Sequence, residues 1–97
     1  MSEKSSVRTK AKTKKVQFGF YAPGARKVCL AGDFNSWDIQ RGGMKRDSKG
    51  TWKVGVSLEP GRYEYRFWVD GVWHDDPKAQ ERSVNPFGSQ NCVKIVR

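Results

Sequence analysis

The sequence predicts an all-β fold in which two antiparallel sheets form a sandwich. Short apolar runs of alternating pattern recur between Gly, Pro and Asp residues, as in small all-β domains. No stretch has the apolar spacing of a helix longer than one or two turns. The chain has 97 residues, which suffices for one domain, and its aromatic share of 12% can fill a small core. About six to eight strands in this length indicate an immunoglobulin-like β-sandwich.

The predicted strands follow one another along the chain and are separated by short turns. The alternating runs are 16–20, 28–31, 52–58, 63–69, 72–73 and 92–96. The turns are APGA at 22–25, GDFNSWD at 32–38, DSKG at 47–50, EPG at 59–61 and DG at 70–71. DSKG and DG have the composition of hairpin turns. Residues 74–90 are polar and show no clear periodicity, so no strand is predicted there.

The strand 62–69 shows which side chains should leave the core. Successive side chains of a strand point to opposite faces. The inward set is Tyr63, Tyr65, Phe67 and Val69, and the outward set is Arg62, Glu64, Arg66 and Trp68. An outward tryptophan beside an arginine is unusual, because an exposed indole leaves a large apolar surface in water.

Charge is distributed unevenly along the chain. Residues 1–15 hold six basic residues and one acidic residue, which is +5 of the total net charge of +9. This segment is nearly free of large apolar residues, so it cannot offset its ordering entropy, and we expect a disordered basic arm followed by a folded domain at 16–97. No stretch resembles a secretory signal or a membrane span, which predicts a cytoplasmic protein without membrane contact.

The two cysteines lie in apolar alternating runs, far apart in the chain. We expect Cys29 and Cys92 to be buried thiols, with a disulfide as the alternative. Two cysteines and the single His74 provide too few ligands at too wide a spacing for a metal site. No metal and no cofactor is therefore expected.

Three tryptophans lie where the pattern does not place core residues. Trp37 follows Ser36 in a polar turn, Trp68 faces outward, and Trp73 follows the DG hairpin. A tryptophan near a turn can act as a lid on the core. Exposed rings beside polar side chains also suit two ligands: a nucleic-acid base, which stacks on aromatic rings, or the apolar face of a sugar. The residues alone leave these alternatives open.

Longer motifs resemble a known family. The segments VCLAGDFNSWD, GTWKVGVSLEPGRYEYRFWVDGVWHDDP and NPFGSQNCVKIV are similar to carbohydrate-binding module family 48. This family includes the glycogen-binding domain of the AMP-activated protein kinase β subunit and the N-terminal early-set domain of isoamylases and branching enzymes. The resemblance covers residues 16–96 and implies an early-set β-sandwich without catalytic activity.

The resemblance also implies a binding site for α-1,4-glucan. In the kinase-type domains the tryptophan of the FNxW turn and the tryptophan after the VDG hairpin stack on glucose rings, and Trp37 and Trp73 occupy these positions. Arg66 stands where that family has a sugar-binding lysine, and Arg presents its donors as a planar fork. Keeping both tryptophans favours the sugar-binding type over domains that only pack against a catalytic barrel.

Three further residues match the family's C-terminal binding loop if one inserted residue is allowed. They are Phe87, Ser89 and Asn91. Trp68 lies outside the family motif, and we expect it to enlarge the aromatic surface beside Arg66.

The sequence contains no recognisable catalytic set. Asp75 and Asp76 are adjacent and should point apart, whereas glycosidic cleavage needs two carboxylates on either side of one bond. The leading hypothesis is a non-catalytic module for glycogen, starch, maltooligosaccharides or β-cyclodextrin, acting with an enzyme of glycogen metabolism or a kinase subunit. The alternative is a protein-interaction or regulatory module with a vestigial sugar site. Nucleic-acid binding by the basic arm is a third, weaker hypothesis.

Overall fold

The computed structural model describes residues 12–79, 81–84 and 90–97, which form two antiparallel β-sheets. The strands are β1 (Lys14–Tyr21), β2 (Val28–Gly32), β3 (Lys45–Arg46), β4 (Thr51–Leu58), β5 (Gly61–Val69), β6 (Val72–His74), β7 (Glu81–Val84) and β8 (Gln90–Val96). Two short 3₁₀ helices, Asp33–Asn35 and Ile39–Arg41, lie between β2 and β3. In this part of the chain no helix is long and apolar enough to cross a membrane. The predicted all-β sandwich is confirmed.

The two sheets contain three and five strands. The three-stranded sheet has the order β1-β4-β3, and the five-stranded sheet has the order β2-β5-β8-β7 with β6 also paired to β5. Leu30 lies opposite Phe67 and Tyr65 lies opposite Cys92, so these side chains share the face that meets the other sheet. The buried core consists of Phe18, Val28, Leu30, Met44, Leu58, Tyr65, Phe67, Cys92 and Val96.

Strand β5 alternates as the sequence predicts. Tyr65 and Phe67 are buried in the core, and Tyr63 and Val69 pack against it. Trp52 on β4 also packs against the core, and its indole Nε1 donates to the Ala22 carbonyl at 2.8 Å. Full burial of one such side chain contributes on the order of 1.5–3 kcal/mol to stability. The outward residues of β5, by contrast, are not part of this core.

The structure differs from the sequence prediction in the polar stretch 74–90. Strand β7 forms there by pairing with β8, with Arg82 opposite Cys92 and Ser83 opposite Asn91. Its residues are mostly exposed. An edge strand of this kind takes its hydrogen bonds from its neighbour and needs no apolar alternation, so the pattern that predicts a strand is missing from residues 81–84. At the other end of the chain, β1 begins at Lys14, two residues before the predicted domain boundary.

Both cysteines are buried free thiols, as predicted. They lie on opposite faces of the five-stranded sheet, because Cys92 is opposite the inward Tyr65 and Cys29 is opposite the outward Trp68. Burial raises the pKa of each thiol. Cys29 is buried on the outer face because the connection between β2 and β3 runs back along β2, where Gly43 forms a bridge to Cys29.

Candidate functional site

The GDFNSWD turn folds back onto the end of β2. The Asn35 amide donates to the Leu30 carbonyl at 3.0 Å, and its oxygen accepts from the Gly32 N–H at 3.0 Å. The Trp37 N–H donates to the Gly32 carbonyl at 2.9 Å. A Cβ at position 32 would lie 2.5 Å from the Glu64 carbonyl oxygen, so only glycine fits where the turn meets β5. These contacts fix the turn against the five-stranded sheet.

Trp37 has an unusual backbone conformation within this turn. Ser36 and Trp37 both have φ of 58°, the left-handed region that bulky residues rarely adopt. Such a conformation costs on the order of 1–3 kcal/mol and persists only where surrounding contacts impose it. Strain of this kind is concentrated at functional sites, so the conformation itself marks Trp37 as a candidate.

Asp33 holds the indole of Trp37 in place. One carboxylate oxygen of Asp33 accepts from the Trp37 Nε1 at 3.2 Å, and the other accepts from the Glu64 N–H at 2.8 Å. The carboxylate therefore connects the turn to β5 and orients the ring. Asp33 was not among the predicted site residues, although it lies only four residues before Trp37 in the same turn, a spacing that could have indicated the contact.

Trp73 reaches the same face from a tight hairpin. Asp70 and Gly71 have φ of 48° and 91°, so both central residues are left-handed, as in a type I′ turn. The Asp70 carboxylate accepts from the backbone N–H of Lys27 at 2.8 Å, which anchors the hairpin. Trp73 lies opposite Trp68 in the β5–β6 register and is 41% exposed.

The structure brings the predicted tryptophans together. The ring centroids of Trp37 and Trp73 are 6.3 Å apart, and the ring planes meet at 65°. The pair is therefore an angled, edge-to-face arrangement and not a flat platform. Trp68 is half-buried beside them, and the Lys27 ammonium lies 6.0 Å from its ring centroid. The three indoles form one aromatic surface on the outer face of the five-stranded sheet.

Arg66 lies on the same outer face, two residues before Trp68. Its Nε donates to an Asp75 oxygen at 3.1 Å, and Gln90 approaches the other Asp75 oxygen at 3.4 Å. The ion pair is partly exposed, so its net contribution to stability is small. Its geometric effect is larger, because it restrains a flexible side chain. Among the described residues the Arg66 Nη donors have no hydrogen-bond partner, so they can serve another acceptor.

Asn91 is held by Glu64. The Asn91 amide donates to one Glu64 oxygen at 3.0 Å, and Arg62 binds the other at 2.9 Å. The hydrogen bond from Asn91 and then the one from Arg62 lower the pKa of Glu64, so this carboxylate stays ionised. Within residues 12–79, 81–84 and 90–97 the Asn91 side-chain oxygen accepts no hydrogen bond, so it remains as an acceptor. Phe87 and Ser89, also predicted for the site, lie outside the described residues.

The adjacent carboxylates diverge, as predicted. Asp75 binds Arg66 on the outer face, whereas Asp76 is buried and accepts from the Tyr65 hydroxyl at 2.6 Å. Burial and then the bond to Asp76 raise the pKa of Tyr65 well above its usual range. Asp76 therefore stabilises the core and Asp75 positions an arginine, so the two do not act on one bond.

The chain also matches a known protein family. The family model described as carbohydrate-binding module 48 (isoamylase N-terminal domain) matches residues 5–87. The chain belongs to carbohydrate-binding module family 48. The resemblance deduced from the sequence motifs is thereby confirmed.

The relatives of this domain include plant and bacterial proteins. The protein FLOURY ENDOSPERM 6, chloroplastic, of Oryza sativa subsp. japonica is 49% identical over 72 residues, which are 74% of this chain and 13% of that protein. PTST homolog 2, chloroplastic, of Arabidopsis thaliana is 43% identical over the same length, with the same coverage. The 1,4-alpha-glucan branching enzyme GlgB of Trichodesmium erythraeum is 32% identical over 78 residues, 75% of this chain and 10% of the enzyme. The chain thus spans only a small part of each relative.

Proposed function

We propose that this domain is a non-catalytic module that binds α-1,4-glucan by stacking glucose rings on Trp37 and Trp73. The observation that carries the proposal is the pair of indoles 6.3 Å apart on one face of the sheet. Membership of a carbohydrate-binding family supports the ligand class. One relative is a 1,4-alpha-glucan branching enzyme, which favours the same polymer here.

The angle between the rings suits a curved ligand. Successive glucose units of an α-1,4 chain are turned relative to one another, so their apolar faces are not coplanar. Two indoles at 65° can each meet a different unit, which a flat pair would do less well. Burial of one aromatic face contributes on the order of 1–3 kcal/mol. Two such contacts with a few hydrogen bonds predict affinities roughly in the micromolar to millimolar range.

The polar residues give the proposed site its hydroxyl contacts. Arg66 supplies donors from a side chain restrained by Asp75, and Asn91 supplies an acceptor from an amide restrained by Glu64. Trp68 extends the surface toward Lys27. Phe87 and Ser89, which lie outside the described residues, stay predictions from the sequence motif. A partner enzyme of glucan metabolism or a kinase subunit would use the module to reach the polymer.

Calorimetric titration with maltoheptaose and β-cyclodextrin tests the proposal. We expect saturable binding that changes little between low and high salt, because the ligands are neutral. The variants Trp37→Ala and Trp73→Ala should each weaken binding by about tenfold or more, the equivalent of one lost stacking contact. Thermal melts should show that both variants remain folded.

A matched control comes from the opposite sheet. Tyr21 is an aromatic residue with 68% exposure on β1, outside the proposed site. Tyr21→Ala should leave maltoheptaose affinity unchanged. Equal affinity of wild type and both folded tryptophan variants would overturn the site, and absence of binding to wild type at millimolar ligand would overturn the function.

A further inference from the structure

The free edge of the three-stranded sheet carries a second candidate binding region. Among the described residues, β1 pairs with β4 on one side only. The Ala22 N–H donates to the Gly50 carbonyl, so the backbone groups of Ala22 face β4. In an antiparallel pair only every second residue directs its N–H and C=O groups at the partner strand. The N–H and C=O groups of Gln17, Gly19 and Tyr21 therefore point away from β4. Such an edge can hydrogen-bond to another extended chain.

A groove of about 590 Å³ follows this edge. Residues 17–21 of β1 line one side, and residues 76–79 with Lys94 of β8 line the other. Five residues of extended chain span roughly 16 Å, so the groove is long enough for a short peptide strand. It lies between β1 and residues 76–79, and neither Trp37 nor Trp73 lines it.

The charges in the groove select the chemistry of its occupant. Lys53, Lys78 and Lys94 line it, and the Lys94 ammonium lies 6.0 Å from the Phe18 ring centroid. The one lining carboxylate, Asp76, already accepts from the Tyr65 hydroxyl at 2.6 Å and from the Lys78 N–H at 2.9 Å. Lys53 pairs with Asp47 at 3.1 Å, which leaves Lys78 and Lys94 as the two ammonium groups beside the strand edge. Two cationic groups at this edge favour an extended segment with acidic side chains.

We propose that an acidic peptide segment of a partner protein binds in this groove as an additional strand beside β1. The edge supplies main-chain hydrogen bonds, and the lysines select for Glu or Asp at alternate positions. This interaction is separate from glucan binding, which uses the other sheet. The module would then connect a polymer on one side to a protein on the other.

Fluorescence anisotropy with a labelled ten-residue peptide of alternating Glu and Val tests the proposal. We expect saturable binding that weakens as salt increases. Two control peptides separate the contributions: one has Lys in place of Glu, and the other is N-methylated at every backbone amide, so that neither of its edges has an N–H for a strand ladder. Each should bind about tenfold more weakly or worse. Equal binding of the N-methylated peptide would overturn strand addition.

Variants of the protein locate the interaction. Lys78→Glu should weaken peptide binding about fivefold, because it replaces one attraction by one repulsion. Lys45→Glu is the matched control, since Lys45 lies on β3 outside the groove, and it should have little effect. Gly19→Pro should remove an edge N–H without removing a bond to β4. If Gly19→Pro does not fold, the N-methylated peptide still tests main-chain pairing with β1 on wild type, through the hydrogen bonds that the peptide donates.

Two outcomes would contradict the proposal that an acidic peptide binds in the groove. Equal effects of Lys78→Glu and Lys45→Glu would indicate general charge attraction and overturn the groove as the site. Concentration-dependent dimerisation that the peptide cannot displace, measured by sedimentation, would show that a second copy covers the edge. Maltoheptaose affinity should be the same with and without the peptide, which keeps this test distinct from that of the glucan site.

Discussion

The outer faces of the two sheets carry different residues, although both arise from strands that alternate in the same way. On the five-stranded sheet Trp68 and Trp73 lie opposite each other, and the turn after β2 places Trp37 beside Trp73. On the three-stranded sheet Gly19, Lys53 and Lys45 lie side by side in register. Alternation decides which side chains leave the core on each sheet.

A connecting loop makes the difference between these faces. Residues 33–44 run back along β2, with the Leu30 N–H bound to the Gly42 carbonyl at 2.7 Å. Beside this loop the outward residues Cys29 and Ala31 have no exposure to solvent. The loop therefore pairs beside β2 like a further strand and delivers Trp37 to the outer face. This pairing can be tested by breaking it.

Among the changes proposed here, substitution of Gly42 should disturb the loop beside β2 most. A Cβ at position 42 would lie 1.7 Å from the Leu30 carbonyl oxygen, so Gly42→Ala must lift the loop from β2. We expect a loss of about 3 kcal/mol in the free energy of unfolding, measured by urea denaturation. Maltoheptaose affinity should also fall, because Trp37 lies on the same loop. Gly43→Ala is the control, since its Cβ meets nothing within 4 Å, and equal destabilisation by both would contradict the close packing.

Substitution of Asp33 should change the orientation of the Trp37 ring on the outer face of the five-stranded sheet. Asp33→Asn keeps the size of the side chain but weakens the charge-assisted bond to the Trp37 indole. We expect glucan affinity to fall about threefold with little change in melting temperature. Asp38→Asn is the control, because Asp38 lies in the same turn and accepts from the Gln40 N–H. Similar affinities for the two variants would argue against Asp33 as a positioning residue.

Acidification should lower the stability of the protein only slightly through Asp47, a carboxylate of the three-stranded sheet. Asp47, in the turn between β3 and β4, accepts from the N–H groups of Thr51 and Lys49 and binds Lys53, which lowers its pKa from 3.8 to about 2. The ionised form is the one stabilised, so its contribution is present at neutral pH and is lost as pH falls from about 4 toward 2. Melting temperatures of wild type and Asp47→Asn should therefore differ at pH 6 and converge near pH 2. A constant difference across this range would contradict the assignment.

The sequence was most informative about local structure. The alternation in β5 predicted which of Tyr65 and Arg66 faces the core, and the DG pair predicted the hairpin before Trp73. These features depend on neighbours in the chain, so a single sequence contains their signal.

Features that depend on register between distant segments were not predictable. The bonds from Asn91 to Glu64 and from Arg66 to Asp75 depend on how β5, β6 and β8 align. The 65° angle between Trp37 and Trp73 depends on a left-handed backbone at a tryptophan, which residue preferences oppose. Strand β7 forms only because β8 supplies its partner.

The two buried cysteines lie on opposite faces of one sheet, so the rate at which each thiol reacts can measure a different opening motion of the protein. We expect Cys29 to become reactive when the loop beside β2 detaches, and Cys92 to become reactive when the core opens and the Asp76 N–H leaves its sulfur. A thiol reagent should therefore label them at different rates, with Cys29 reporting local fluctuation and Cys92 reporting global unfolding. A glucan chain resting on Trp37 should slow the first rate more than the second.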